Sequence, residues 1–235
     1  MKWLVATVTE TVPETAAAVT IRLEVPDWPG HRAGQHVDVR LTAEDGYQAQ
    51  RSYSIASAPG SEPLELTVVR IDDGEVSPYL ATDLDVGDQV ELRGPVGGYF
   101  VWEGEETGPL LLAGGGSGVV PLMSMLRHHA AVGSEAPVHL VYSARTTGDV
   151  LYRDELARIP GVTITLTREP SSEWDGRRGR VDAGLLADTG WPPASRPLCY
   201  VCGPDTFVEV VANTLVEMGH DPQNIKTERF GPTGG

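Results

Sequence analysis

The chain has 235 residues, 40% hydrophobic and 22% charged, with a net charge of −15. That length accommodates one large domain or two of ordinary size, each able to bury a core. The acidic balance argues against a nucleic-acid footprint, which needs clustered Lys and Arg. No apolar run approaches the ~18 residues that cross a bilayer. The opening Met1-Lys2-Trp3-Leu4-Val5-Ala6-Thr7-Val8 has too short an apolar stretch for a signal peptide, so the expected compartment is the cytoplasm.

The charge is unevenly spread. Residues 1–106 carry 19 acidic and 7 basic side chains, about −12, which leaves about −3 for the remainder. Two accounts fit: a solubilising surface, or a first half that docks a basic partner.

In chain order, the first hundred residues read as short strands separated by turns, at 3–9, 17–25, 36–41, 52–57, 64–70 and 89–93. Stretches such as Val37-Asp38-Val39-Arg40-Leu41 alternate apolar with polar, the pattern of a half-buried antiparallel strand. Six such strands predict a small antiparallel β-barrel over residues 1–104. The acidic segment 103–108 reads as a linker. Beyond it the period changes. Buried runs at 110–113, 138–142, 162–166 and 198–201 alternate with helical segments at 121–132, 150–159, 182–188 and 205–218. This order predicts a doubly wound α/β domain with a parallel sheet over residues 108–235.

Within the barrel, Arg51-Ser52-Tyr53-Ser54 carries groups suited to a phosphorylated, planar, redox-active ring. Tyr53 offers a stacking surface, Ser54 a hydroxyl for the ring nitrogen that receives hydride, and Arg51 a forked cation for phosphate. About twenty residues on, Gly74-Glu75-Val76-Ser77 precedes Pro78. Ser77 and Pro78 suit the cap and first position of a short helix at 78–84, whose N-terminus would receive an anion.

In the second half, Gly114-Gly115-Gly116-Ser117-Gly118-Val119-Val120-Pro121 follows a strand and opens a helix, as a phosphate-binding loop must. Pro121 stands where a dinucleotide fingerprint has its third Gly. After the next strand come Ser143 and Arg145, and after the one following, Arg168. Arginines there favour the 2′-phosphate of NADP over the bare ribose of NAD. Cys202-Gly203-Pro204-Asp205 lies between a strand and a helix, about 85 residues past the glycine loop. Cys199 and Cys202, the two cysteines, sit three apart on an expected strand and face opposite sides, so no metal site or dithiol pair is expected.

Taken together with Gly94-Pro95-Val96-Gly97-Gly98-Tyr99-Phe100 and a terminal Glu228-Arg229-Phe230, these motifs resemble those of ferredoxin–NADP reductases, in the same order and over residues 3–232. The resemblance implies FAD bound by Arg51, Ser52, Tyr53, Ser54, Gly74, Val76 and Ser77. FMN is the lesser alternative, since no separate adenine-binding residue is legible. It implies a nicotinamide nucleotide, NADPH with NADH possible, bound by Gly116, Ser117, Gly118, Pro121, Ser143, Arg145, Arg168, Cys202, Gly203 and Pro204. Ser54, Cys202, Glu228 and Phe230 would orient hydride transfer, with Phe230 covering the flavin until nicotinamide displaces it and the tail 231–235 free to move with it. No iron–sulfur or haem domain is legible, so the expected electron acceptor is a separate redox protein. An acidic barrel disfavours an acidic ferredoxin in that place. Reduction of a free flavin or quinone is the alternative within the enzyme class, and a non-catalytic nucleotide-sensing module is the alternative outside it. The sequence does not specify an oligomeric state.

Overall fold

The computed structural model describes residues 2–169 and 173–230. Contacts divide them into two units, one comprising residues up to Glu103 with Met123–Val132, the other Gly104–Leu122 with the residues that follow Gly133.

The first unit is a six-stranded antiparallel sheet of β1 (Leu4–Thr15), β2 (Ala18–Glu24), β3 (His36–Thr42), β4 (Gln48–Ser54), β5 (Leu64–Val69) and β6 (Gln89–Val96), in the order β4-β3-β6-β1-β2-β5. Its two edges meet. Ile55 bridges Leu66, and the Ala56 N–H donates to the Glu65 carbonyl at 2.8 Å, which curls the sheet into a barrel by joining its edges just beyond β4. Inside lie Ile21, Leu23, Val37, Val39, Leu66, Val68 and Leu92, all buried, while the hydroxyls of Thr20 and Thr67 pair at 2.8 Å on the opposite face of β2 and β5. The inward residues of each strand are those that alternate with polar ones in the sequence.

Three expectations for this unit need correction. Strand β1 continues through Thr15 rather than ending at residue 9, because register shifts after Val8 and Pro13 absorb its irregular stretch into the hairpin with β2. Strand β4 spans Gln48–Ser54 rather than 52–57; it is an edge strand with an exposed face, which permits the polar residues Gln48 and Gln50, and the chain then turns to reach β5. The short helix after residue 77 is a single wide turn, Tyr79–Asp83, without a side-chain cap. Ser77 instead accepts the Ile71 N–H on its hydroxyl at 3.0 Å, tying off the loop that precedes the turn.

The second unit is a parallel sheet of β7 (Leu110–Gly115), β8 (Val138–Ala144), β9 (Val162–Leu166), β10 (Arg177–Arg178), β11 (Leu198–Pro204) and β12 (Ile225–Phe230), in the order β10-β9-β8-β7-β11-β12. The helices are α1 (Val119–Ala131), whose residues from Met123 on belong to the first unit, α2 (Arg153–Leu156), α3 (Ala183–Thr189) and α4 (Asp205–Glu217). Strand β7 is buried along its whole length, as a central strand covered on both faces must be. Helix α2 is shorter than its apolar spacing suggests because Tyr152, at φ 53°, breaks the helical path just before it. Helix α3 starts at its expected place, with the Asp182 carboxylate accepting the Leu185 N–H at 2.8 Å. The two-residue β10 lies beyond what periodicity can reveal.

One buried charge organises the barrel wall facing β4. Asp38, 8% exposed, accepts the Ser52 hydroxyl at 2.7 Å and Arg93 at 2.8 Å. Burial opposes its ionisation, but Ser52 and Arg93 outweigh that and hold its carboxyl below the usual carboxylate range. Its depressed pKa means that the stability it adds is present above the unfolded value of 3.8 and lost as pH falls through the folded one. Asp38→Asn should therefore destabilise the protein by about 1.5–3 kcal/mol at neutral pH and by less near pH 3, measured by urea denaturation across that range. A loss independent of pH would refute the charged role.

Candidate cofactor site

Strand β4 presents the flavin candidates in alternation. Its pairing with β3 sets Arg51 opposite Val39, Ser52 opposite Asp38, Tyr53 opposite Val37 and Ser54 opposite His36. Arg51 and Tyr53 thus share one face, and Ser52 and Ser54 the other. Tyr53 is half-buried against the barrel core, and burial pushes its phenol up to about 12, so it stays neutral. Ser54 is 5% exposed, yet its hydroxyl has no hydrogen-bond partner among the described residues. A buried hydroxyl left without a partner is uncommon, and a polar atom of a bound ring would satisfy it.

The other barrel candidates divide into side chains free to meet a ligand and side chains already committed. The Ser52 hydroxyl is bound to Asp38, which leaves only its backbone for a cofactor. Val76 is fully buried in the barrel core, and Ser77 is held by Ile71, so they too can offer a ligand only main-chain groups. The Gly74 N–H itself donates to the Ile71 carbonyl at 2.9 Å. Between these residues stands one that sequence reasoning passed over. Glu75 accepts Arg51 at 3.1 Å and the Tyr47 hydroxyl at 2.6 Å. Nothing in the spacing of Glu75 signals this pairing, which depends on the β3–β4 turn bringing Tyr47 alongside.

In the second unit, the strand order reverses direction at β7, with β8 on one side and β11 on the other. Ligands of doubly wound sheets bind at the carboxyl ends of the strands flanking such a switch point. The glycine loop and the Cys202–Gly203 pair stand there, because Gly114 is in register with Cys202. The approach is close. A Cβ on Gly118 would collide with the carbonyl of Cys202, so only glycine lets the start of α1 lie against β11. Gly203 adopts φ 155°, and a Cβ there would lie 2.9 Å from the ring of Phe207. Phe207 is a second residue missed at the sequence level; its ring lies against Gly115 as well as Gly203. Pro121 is buried in the first turn of α1, Gly116 is exposed and Ser117 half-buried, and the Ser117 hydroxyl makes no hydrogen bond among the described residues.

At the ends of β8 and β9, the Arg168 N–H donates to the Arg145 carbonyl at 2.8 Å, which makes the two arginines neighbours. Both side chains are exposed, and among the described residues neither guanidinium has a hydrogen bond or ion pair. Ser143 is half-buried, two residues before Arg145.

Across β11 and β12, Cys202 pairs with Glu228, and Pro204 with Phe230. Burial, reinforced by the Glu228 carboxylate, pushes the Cys202 thiol well above its ordinary value, so no thiolate nucleophile forms at neutral pH. Burial also raises Glu228 to about 7. Cys199 is fully buried and pushed up to about 12, and both cysteines are free thiols. Phe230 is half-buried at the end of β12, while the tail at 231–235 lies outside the described residues.

The Glu228 shift has a sign that can be measured. Its folded pKa lies above the unfolded value of 4.5, so the stability it contributes is present at low pH and lost as pH rises from 4.5 through about 7. Glu228→Gln should remove that decline, so that the variant overtakes wild type in thermal stability between pH 5 and 8. Parallel melting curves over this window would show that Glu228 is ionised throughout.

Comparison with known proteins agrees with this geometry. The oxidoreductase FAD-binding domain family matches residues 5–101, and the oxidoreductase NAD-binding domain family matches residues 112–213. Ferredoxin–NADP reductase B of Sorangium cellulosum is 36% identical over 212 residues, which cover 84% of this chain and 84% of that protein. The glycine betaine monooxygenase reductase subunit of Chromohalobacter salexigens is 34% identical, over 86% of this chain and 56% of that protein. Among solved structures, the flavohem-like FAD/NAD-binding domain of nitric oxide dioxygenase from Vibrio cholerae aligns with a TM-score of 0.86 at 26% identity, over 97% of this chain and 99% of that one. The chain spans 56%, 61% and 62% of the length of three of its curated relatives. A barrel matching one cofactor domain, a switch point matching the other and close similarity to a reductase of nearly its own extent lead to one assignment: the chain belongs to the ferredoxin–NADP reductase family of FAD- and NAD-binding oxidoreductases.

Proposed function

We propose that the protein takes hydride from NADPH onto FAD and passes the electrons to a separate redox protein. The observation that carries this reading is the buried hydroxyl of Ser54, without a hydrogen-bond partner among the described residues, on the same strand as a half-buried Tyr53 and the cation of Arg51. When bound, the flavin supplies the chemistry, accepting hydride at N5 from the nicotinamide C4 and releasing electrons singly or in pairs. The protein binds and orients. On this reading residues 1–104 hold the flavin, Arg51 on a phosphate, Tyr53 against the ring and Ser54 at N5. The backbone of Ser52, Gly74, Val76 and Ser77 completes that site.

Residues 108–235 hold the nicotinamide nucleotide. Its pyrophosphate would lie along Gly116, Ser117, Gly118 and the α1 N-terminus, with Pro121 in the first turn. Ser143, Arg145 and Arg168 take the 2′-phosphate, and Cys202, Gly203 and Pro204 face the nicotinamide. The Cys202 thiol, held neutral, positions without attacking, and the Glu228 carboxyl can hold a proton near neutral pH. Phe230 keeps the role of an aromatic cover for the flavin. An acceptor outside the chain is supported by relatives named as reductase components of propane 2-monooxygenase and of naphthalene 1,2-dioxygenase systems. The compartment that suits this role is the cytoplasm, where thiols such as Cys199 and Cys202 stay reduced. No helix among the described residues is long and apolar enough to cross a membrane.

The flavin assignment is checked by Arg51→Ala, which should purify with little FAD, since a phosphate deprived of a charged partner loses about 1.5–3 kcal/mol. A fully flavinated variant would overturn it. The NADPH preference is checked by changing Arg145 and Arg168 together to Ala. The KM for NADPH should rise at least tenfold more than that for NADH, each charge-assisted hydrogen bond being worth about 1.5–3 kcal/mol. Equal effects on the two nucleotides would remove the preference.

A further inference from the structure

We infer that Glu169 is a positioning residue for nucleotide selection, clasping together the two chain segments that carry Arg145 and Arg168. This role rests on the proposed reading of those arginines as the ligands of the 2′-phosphate. Beyond Ala144 and Leu166, the last paired residues of β8 and β9, the two chains stay joined link by link. The Thr167 N–H donates to the Ala144 carbonyl at 3.0 Å, and the Arg168 N–H to the Arg145 carbonyl at 2.8 Å. The next link is made by a side chain. One carboxylate oxygen of Glu169, Oε2, accepts both the N–H of Thr147 at 2.7 Å and its hydroxyl at 2.8 Å.

Thr147 is the first residue of the short turn Thr147–Asp149, so its N–H has no acceptor within that turn. The N–H of Thr146, one residue earlier, is satisfied locally by the Asp149 carboxylate at 3.0 Å. That of Thr147 is satisfied instead from the segment that carries Arg168. Glu169 is itself held in place, because its carbonyl accepts Arg178 of β10 at 2.9 Å. Arg145 is thereby bracketed between the end of β8 and the clasped Thr147, and Arg168 between the end of β9 and Glu169. The main chain is fixed on both sides of each arginine while both guanidinium groups stay exposed. Without the clasp each segment is anchored on one side only. Ordering a single residue's backbone on binding then costs about a tenfold loss in affinity. NADH brings no phosphate to the arginines and escapes that loss. The charge of the carboxylate acts in the opposite sense, since an anion near a phosphate weakens its binding. A clasp and a bare charge therefore predict changes of opposite sign.

The test measures KM and kcat for NADPH and for NADH in the flavin-loaded full chain, with ferricyanide as the acceptor. In Glu169→Ala the KM for NADPH should rise about tenfold, while the KM for NADH and both kcat values hold. In Glu169→Gln the amide oxygen still accepts from Thr147, so the preference for NADPH should be retained. A ratio of the two KM values unchanged in Glu169→Ala, or shifted in favour of NADPH, overturns the inference. So does a Glu169→Gln variant as impaired as Glu169→Ala, or a KM that rises equally for both nucleotides. Replacing Arg145 and Arg168 together by Ala distinguishes this role from the reading beneath it. If that change lowers the preference for NADPH while Glu169→Ala does not, the positioning role alone fails. If it leaves the ratio unchanged, the 2′-phosphate reading fails and the role of Glu169 fails with it.

Discussion

The nucleotide unit depends on one close approach, that of the α1 N-terminus against the end of β11. The backbone of Gly118 lies so near the Cys202 carbonyl that no side chain fits between them. Parallel strands deliver this geometry, because β7 and β11 run side by side and end together, with Gly114 level with Cys202. The result is an open patch of main chain at the switch point, bounded by Gly116 on one strand end and Gly203 on the next. A dinucleotide needs such a surface, since its phosphates are recognised by backbone N–H groups that side chains would obstruct. The ring of Phe207 beneath Gly115 and Gly203 fixes both glycines from the other side. The bare surface is thus supported by dense packing beneath it.

How much of this could be read from the sequence follows from the kind of interaction involved. Both sheets were legible, because burial imposes a period of two on the barrel strands and a run of apolar residues on β7. The glycine loop and Cys202-Gly203-Pro204 were legible as well, since a requirement for glycine at a strand end leaves a mark in the sequence. Pairings between distant side chains leave no such mark. Ser52 was read as a cofactor-binding residue, and the fold commits its hydroxyl to Asp38 on the neighbouring strand, leaving its main chain for that role. Ser77 was read as a helix cap, yet it closes a loop onto Ile71. In both cases the residue type correctly announced a hydrogen bond, and only the fold could choose the partner. The choice went to the group that burial would otherwise have left unsatisfied. Glu75 is the converse case, a residue without a motif role whose importance comes from two neighbours it meets in space.

Neutrality around Cys202 has the same origin as the shape of the site. β11 is a buried inner strand, so the groups it carries lose the water that would stabilise a charge. The Cys202 thiol stays protonated, and Glu228 beside it titrates near 7 rather than near 4.5. A positively charged nicotinamide ring differs from its neutral reduced form by one charge, so on the proposed reading a carboxyl close to its midpoint could respond to either form. A permanently ionised carboxylate would favour the oxidised nucleotide throughout and slow its departure.

The arginines of the two units are prepared differently, and the difference fits the lifetimes of the ligands proposed for them. Arg51 is held on both arms, by the Gln50 carbonyl and by Glu75, before any phosphate arrives. Little rotamer freedom is left for it to lose on binding, and once the cofactor has taken its place the displaced Glu75 still has the Tyr47 hydroxyl. Arg145 and Arg168 are exposed, and among the described residues neither guanidinium is held by a hydrogen bond or ion pair. Each must give up as much as about 2 kcal/mol of side-chain entropy to order around a phosphate. That penalty weakens binding, which is a disadvantage for a resident cofactor but suits a nucleotide that must leave after every hydride it delivers. On the proposed reading, a preorganised cation in the barrel and exposed ones beyond the ends of β8 and β9 would divide the two phosphates between a ligand that stays and a ligand that exchanges.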